Sequence, residues 1–97
     1  MTLPTIEEIS RMSSDAERAN WLMRAPDSIV FGWVASIRAE LERSVFPEGV
    51  AYLERRFAST MAIRTPEGHL PHSIVMGVYH AEGVMRDAAR RRDRSVA

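Results

Sequence analysis

The sequence predicts an all-α fold, a small irregular bundle of four to five helices. Three observations carry this expectation. Apolar residues recur at intervals of three and four through most of the chain. Hydroxyl residues followed by acids mark helix starts. Prolines and glycines fall where helices should begin, end or turn.

Leu3, Ile6, Ile9 and Met12 keep helical spacing, and Thr5 with Glu8 has the spacing of a capping box, so a first helix is expected over about 5–12. Ser14 and Glu17 repeat that signal, with Asp15 in the first turn. This second helix should run to Arg24 and stop before Pro26. Asp27 then caps a third helix over 28–44. Its core arc holds Ile29, Val30, Trp33, Val34, Ile37 and Leu41. Pro47 suits the first turn of a fourth helix, with Val50, Leu53, Phe57 and Met61 as its stripe.

Thr65-Pro66-Glu67-Gly68 is the clearest turn, and Pro71 follows closely. Residues 65–71 are therefore read as a loop. A short hairpin around 61–74, pairing 61–64 with 69–73, is the alternative. The last helix should begin at Pro71 or His72 and reach Arg92. Its core arc is Ile74, Val78, Ala81, Met85, Ala88 and Ala89. Gly77 lies on that side, where it would permit close helix contact; Gly83 lies outside.

The 97 residues form one domain, with an arginine-rich tail over 86–97. A composition of 45% hydrophobic and 27% charged residues is that of a folded globule with a modest core. Self-association would be an economical way to add buried area. With no cysteine, disulfides, thiolate nucleophiles and cysteine-bound metal are excluded. All 13 basic residues are arginine, which removes lysine-dependent phosphate loops and Schiff bases. Residues 1–48 carry eight acids against five arginines, and residues 49–97 reverse this balance. The start of the chain lacks the basic character of a signal peptide, and the longest apolar run, 29–35, is far too short to span a bilayer. A cytoplasmic protein without a membrane partner is expected.

Few constellations offer chemistry. His69, His72 and His80, beside Glu67 and Glu82, could be read as zinc ligands. However, His72 and His80 stand two helical turns apart, about 12 Å, and His69 is in the loop. No nucleophile–base pattern and no glycine-rich loop occurs. No cofactor is implied, and an enzyme is not expected; a metal-dependent enzyme using these histidines is the third reading. The segment from Thr5 to Met23 has a helix–turn–helix outline. It lacks the glycine of the turn, and Asp15 and Glu17 would meet phosphates with the wrong charge.

The remaining signals are surface ones. Phe31 lies off its helix's core arc. Tyr52 and Ile63 fall together on the back of the next helix beside Arg56, and Met76 and Tyr79 lie outside on the last helix. Aromatics, methionine and arginine are enriched in protein interfaces. The chain is therefore expected to be a non-enzymatic protein-binding module that occupies a partner's surface or forms a homodimer. Its small, motif-poor, lysine-free character fits an accessory or inhibitor protein of a phage or mobile element. The alternative is a small nucleic-acid-associated regulator using Arg86, Arg90, Arg91, Arg92 and Arg94. That run lacks the interleaved aromatics of single-strand binders, so nucleic-acid binding should be weak at most.

Overall fold

The computed structural model describes residues 6–95, with side chains to residue 93. Among these residues there are six helices and no strand: α1 (Ile6–Ser10), α2 (Asp15–Arg24), α3 (Asp27–Gly32), α4 (Val34–Arg43), α5 (Pro47–Met61) and α6 (His72–Ser95). The all-α expectation is met. The cap expected at Thr5 lies outside the described residues.

Local signals set most boundaries. The Glu17 amide donates to Ser14 Oγ at 3.2 Å, while Ser13 and Ser14 hydroxyls both donate to Glu17 Oε1. Pro26 ends α2, and Pro47 opens α5. The Gly68 amide donates to the Thr65 carbonyl at 2.8 Å, and the Thr65 amide to that of His69 at 2.7 Å. Gly68 has φ +86°, which favours glycine. The turn closes there but no strand pairing follows it, so the hairpin alternative is corrected to a loop.

The expected single helix over 28–44 is broken. Trp33, at φ −126° and ψ 22°, leaves the helical region directly after Gly32, a weak helix former. The break lets α3 and α4 pack against α5 in separate directions, while α4 also reaches α1. It also turns Trp33 outward to 52% exposure, so Trp21, fully buried on α2, is the core indole instead. Asp27 is the first residue of α3 and makes no cap; its carboxylate serves Arg56.

Between α4 and α5 the chain reverses through a left-handed corner. The Phe46 amide donates to the Leu41 carbonyl at 2.9 Å and the Val45 amide to Glu42 at 3.1 Å, the paired bonds of a left-handed helix cap. Glycine usually fills the left-handed position; here it is Val45, at φ +55°. The corner folds Phe46 back over the start of α5, where Gly49 is needed. A Cβ on Gly49 would lie 2.6 Å from the Phe46 ring. Gly77 needs no such room. The nearest atom to its Cβ would be Arg55 Nη1 at an ordinary 3.6 Å, so the expected close helix contact is not what places it.

α5 and α6 are antiparallel, and the core collects where the other helices meet them. Trp21, Leu22, Val30, Ile37, Leu41, Phe46, Leu53 and Met85 are its fully buried side chains, with Ile9 at the α1 end. The expected α6 arc holds from Ala81 onward, where Ala81, Met85, Ala88 and Ala89 are buried, while Ile74 and Val78 are half-buried. The α5 stripe holds at Leu53, which is buried, and at Val50, which packs against the core; Phe57 is half-buried and Met61 exposed.

Val45 is 74% exposed, so it gains little from burial while bearing a backbone cost of about 1–2 kcal/mol. Val45→Gly should stabilise the fold by about 1 kcal/mol in urea unfolding. Destabilisation would show that the corner is not strained.

Candidate docking surface

The described residues divide into a body that holds every buried side chain and a stretch that holds none. Every buried side chain lies within 9–53 or 81–89, and none within 54–80. That stretch is the far end of the α5–α6 hairpin with its connecting loop, here called the arm. The molecule is elongated, at 49 × 25 × 25 Å. Its Cα radius of gyration of 13.8 Å exceeds the roughly 12 Å of a compact domain this size.

The arm carries apolar side chains that two helices cannot enclose. Met61, Met76 and Tyr79 are half or more exposed, and Ile63 is 89% exposed. At the arm's base, Phe57 stacks on Phe31 with ring centroids 5.7 Å apart and planes at 22°. Phe57 also borders a groove between α4 and α5 with Val34, Ala35 and Arg38.

On another side a cleft of about 230 Å³ opens between α5, α6 and the start of α3. Leu70, Val75 and Val78 give it apolar walls, and Tyr52, Arg56 and Tyr79 meet there. Arg56 is fixed: Nη1 donates to the Leu22 carbonyl at 2.8 Å and Nη2 to Asp27 Oδ1 at 2.6 Å. Its guanidinium also lies 6.0 Å from the centre of the Tyr52 ring. Burial pushes the Tyr52 phenol above its ordinary value, with Arg56 pulling the other way.

The six residues expected to face a partner are therefore distributed unevenly. Ile63, Met76 and Tyr79 are exposed on the arm, and Phe31 is exposed at its base. Tyr52 is corrected from outward to buried, at 4% exposure, because α6 covers that side of α5. Arg56 is mostly covered and ties α5 to α2 and α3. Ile63 does not adjoin Tyr52, since α5 ends at Met61. Sequence reasoning missed Met61, which was assigned to the core stripe, although its place near the helix end was a signal for exposure.

The arginine tail is the end of α6, and part of its charge is engaged. Arg92 Nη1 lies 3.0 Å from Asp15 Oδ2 and Nη2 lies 2.9 Å from Glu48 Oε1, with the guanidinium 5.6 Å from the centre of the Phe46 ring. Arg90 and Arg91 both approach Asp87, at 3.7 and 2.8 Å. Arg86 Nε donates to Met23 Sδ at 3.1 Å. The side chain of Arg94 lies outside the described residues.

His69, His72 and His80 are all exposed. Among the described residues no group of three or more histidines and acids is placed to hold a metal ion. No described helix is long and apolar enough to cross a membrane. No family model, curated protein or solved structure matches the chain.

The Tyr52 environment has a measurable consequence. Its folded pKa is raised above 10.0, so folding favours the neutral phenol. The resulting stability is complete below the unfolded value and is lost as pH rises through the folded one. In urea unfolding across the alkaline range, the parent should therefore lose stability more steeply than Tyr52→Phe. Parallel losses would refute this role for burial.

Proposed function

We propose that the chain is a non-enzymatic protein-binding module whose docking surface is the arm. The observation that carries the reading is the absence of any buried residue across 54–80, a stretch in which Met61, Ile63, Met76 and Tyr79 are exposed. Exposed aromatic and methionine side chains beside arginines match the composition of protein interfaces. The site acts by covering a partner's surface. Asp15, the one buried acid among the described residues, is neutralised by Arg18 and Arg92, which supports a structural rather than a chemical role for it.

An accessory or inhibitor protein of a phage or mobile element would use such a surface to mask a host complex; size and lack of lysine support this narrower reading. The nucleic-acid regulator draws less support. Arg92 is spent inside the fold, and Asp87 offsets part of the charge of Arg90 and Arg91. Both readings place the protein in the cytoplasm.

Stability and binding can be separated by pairing thermal melting with affinity capture from the host, read by mass spectrometry. Ile63→Ala and Tyr79→Ala should melt within about 0.5 kcal/mol of the parent, as exposed positions do, yet lose a specific captured protein. Trp21→Ala is the buried control and should cost about 3–5 kcal/mol. Arm variants that capture as the parent does, or melt as badly as the control, would contradict the proposal.

A further inference from the structure

We propose that the cleft between α5, α6 and the start of α3 binds a small uncharged molecule made of one aromatic ring and a carbonyl group. The cleft shares Tyr79 with the docking surface, but its ligand does not depend on a protein docked there. Its volume is about 230 Å³. An apolar cavity of about 150 Å³ holds benzene, and drug-sized ligands occupy about 300–1,000 Å³. One ring with a short substituent therefore fits, and a polycyclic cofactor does not. Leu70 from the loop, Val75 and Val78 from α6 and Tyr52 from α5 line this one space. The three aliphatic side chains are only half-buried, so a ring seated among them removes further apolar surface from water.

The polar groups select the head of the ligand. Arg56 is held in place by the Leu22 carbonyl and Asp27, which leaves further guanidinium N–H groups to donate. Ser59 commits its hydroxyl to the Arg56 carbonyl at 2.7 Å. Tyr52 is 4% exposed, and among the described residues its hydroxyl hydrogen has no acceptor. Burial holds this phenol above its ordinary pKa, so it stays a donor at neutral pH. The cleft thus offers fixed donors, and a carbonyl oxygen has the two lone pairs to accept from both Tyr52 and Arg56. Charge is already balanced. Asp27 lies 2.6 Å from Arg56, and Glu82 is near enough to push the Tyr52 pKa further up. An anion would meet these carboxylates and a cation the guanidinium, which favours an uncharged ligand.

The test is titration of the full chain with acetophenone, ethylbenzene and benzoate, followed through the backbone amides by two-dimensional NMR. Acetophenone carries the ring and the carbonyl, ethylbenzene lacks the acceptor, and benzoate adds a charge. Acetophenone should saturate with a Kd of about 1 mM or below and shift amides within 52–59 and 70–79. Ethylbenzene and benzoate should bind at least about tenfold more weakly, since one strands the donors and the other meets the acids. In Tyr52→Phe, acetophenone should weaken to the level of ethylbenzene, while ethylbenzene itself is not weakened. Val75→Phe should fill the cleft and abolish both, with thermal melting as the folding control. If Val75→Phe does not fold, the ratio of the two affinities in Tyr52→Phe decides. An absence of saturable shifts overturns the proposal, as do equal affinities for acetophenone and ethylbenzene, tighter binding of benzoate, or a preference that survives Tyr52→Phe. If host-protein capture through Ile63 and Tyr79 persists after such a result, the cleft reading alone falls.

Discussion

Arg92 holds the far end of α6 to two other helix starts, beside the apolar cluster that all six helices share. One guanidinium meets Asp15 at the first residue of α2 and Glu48 near the start of α5, while lying over the Phe46 ring. Burial opposes the charge of Arg92, but its hydrogen bond to Asp15 and the adjacent Glu48 carboxylate outweigh burial and hold its pKa above the ordinary value. Asp15 is only 9% exposed and also accepts from Arg18 at 2.7 Å. Removing one member of such a group leaves a buried charge, a loss of about 3–5 kcal/mol when the pair is fully enclosed. Arg92 is more exposed than Asp15, so the cost here lies below that range.

With one end of the α5–α6 hairpin fixed, the short helices collect there. The corner at Val45 turns Phe46 under the bridge, and Gly49 leaves the space for its ring. The break at Trp33 lets α3 and α4 follow the sides of α5 rather than run past it. These helices reach only as far as the base of the arm. Phe31 against Phe57 marks the limit of their cover, and beyond it α5 and α6 have only each other. The open arm is thus a consequence of unequal helix lengths, since α6 has 24 residues and each of α1 to α4 has ten or fewer.

What the sequence disclosed was mainly local. The Ser14–Glu17 cap, the stop at Pro26, Pro47 at the head of α5 and the turn at Gly68 depend on neighbours within four residues. Composition and spacing identify them without a fold. The α6 arc was legible because a long amphipathic pattern outweighs its two glycines. Trp33 was misplaced because the helical wheel assumes an unbroken helix, and Gly32 alone is a weak sign of a break. Tyr52 was misplaced because a wheel ranks faces by hydrophobicity and cannot tell which flank a later helix will cover. Arg92 pairs with an acid 77 residues earlier, and no local pattern distinguishes it from its neighbouring arginines. Ile63, Met76 and Tyr79 were legible as outward residues, but not as parts of one arm.

The division between a supported core and an open arm is measured most directly by amide hydrogen exchange of the full chain, resolved by residue and run in dilute solution. In dilute solution, amides within 57–61 and 75–80 should exchange through local opening at least about tenfold faster than those within 50–53 and 82–88. An arm as protected as the core in dilute solution would contradict the account, because its helices would then be supported without anything docked upon them.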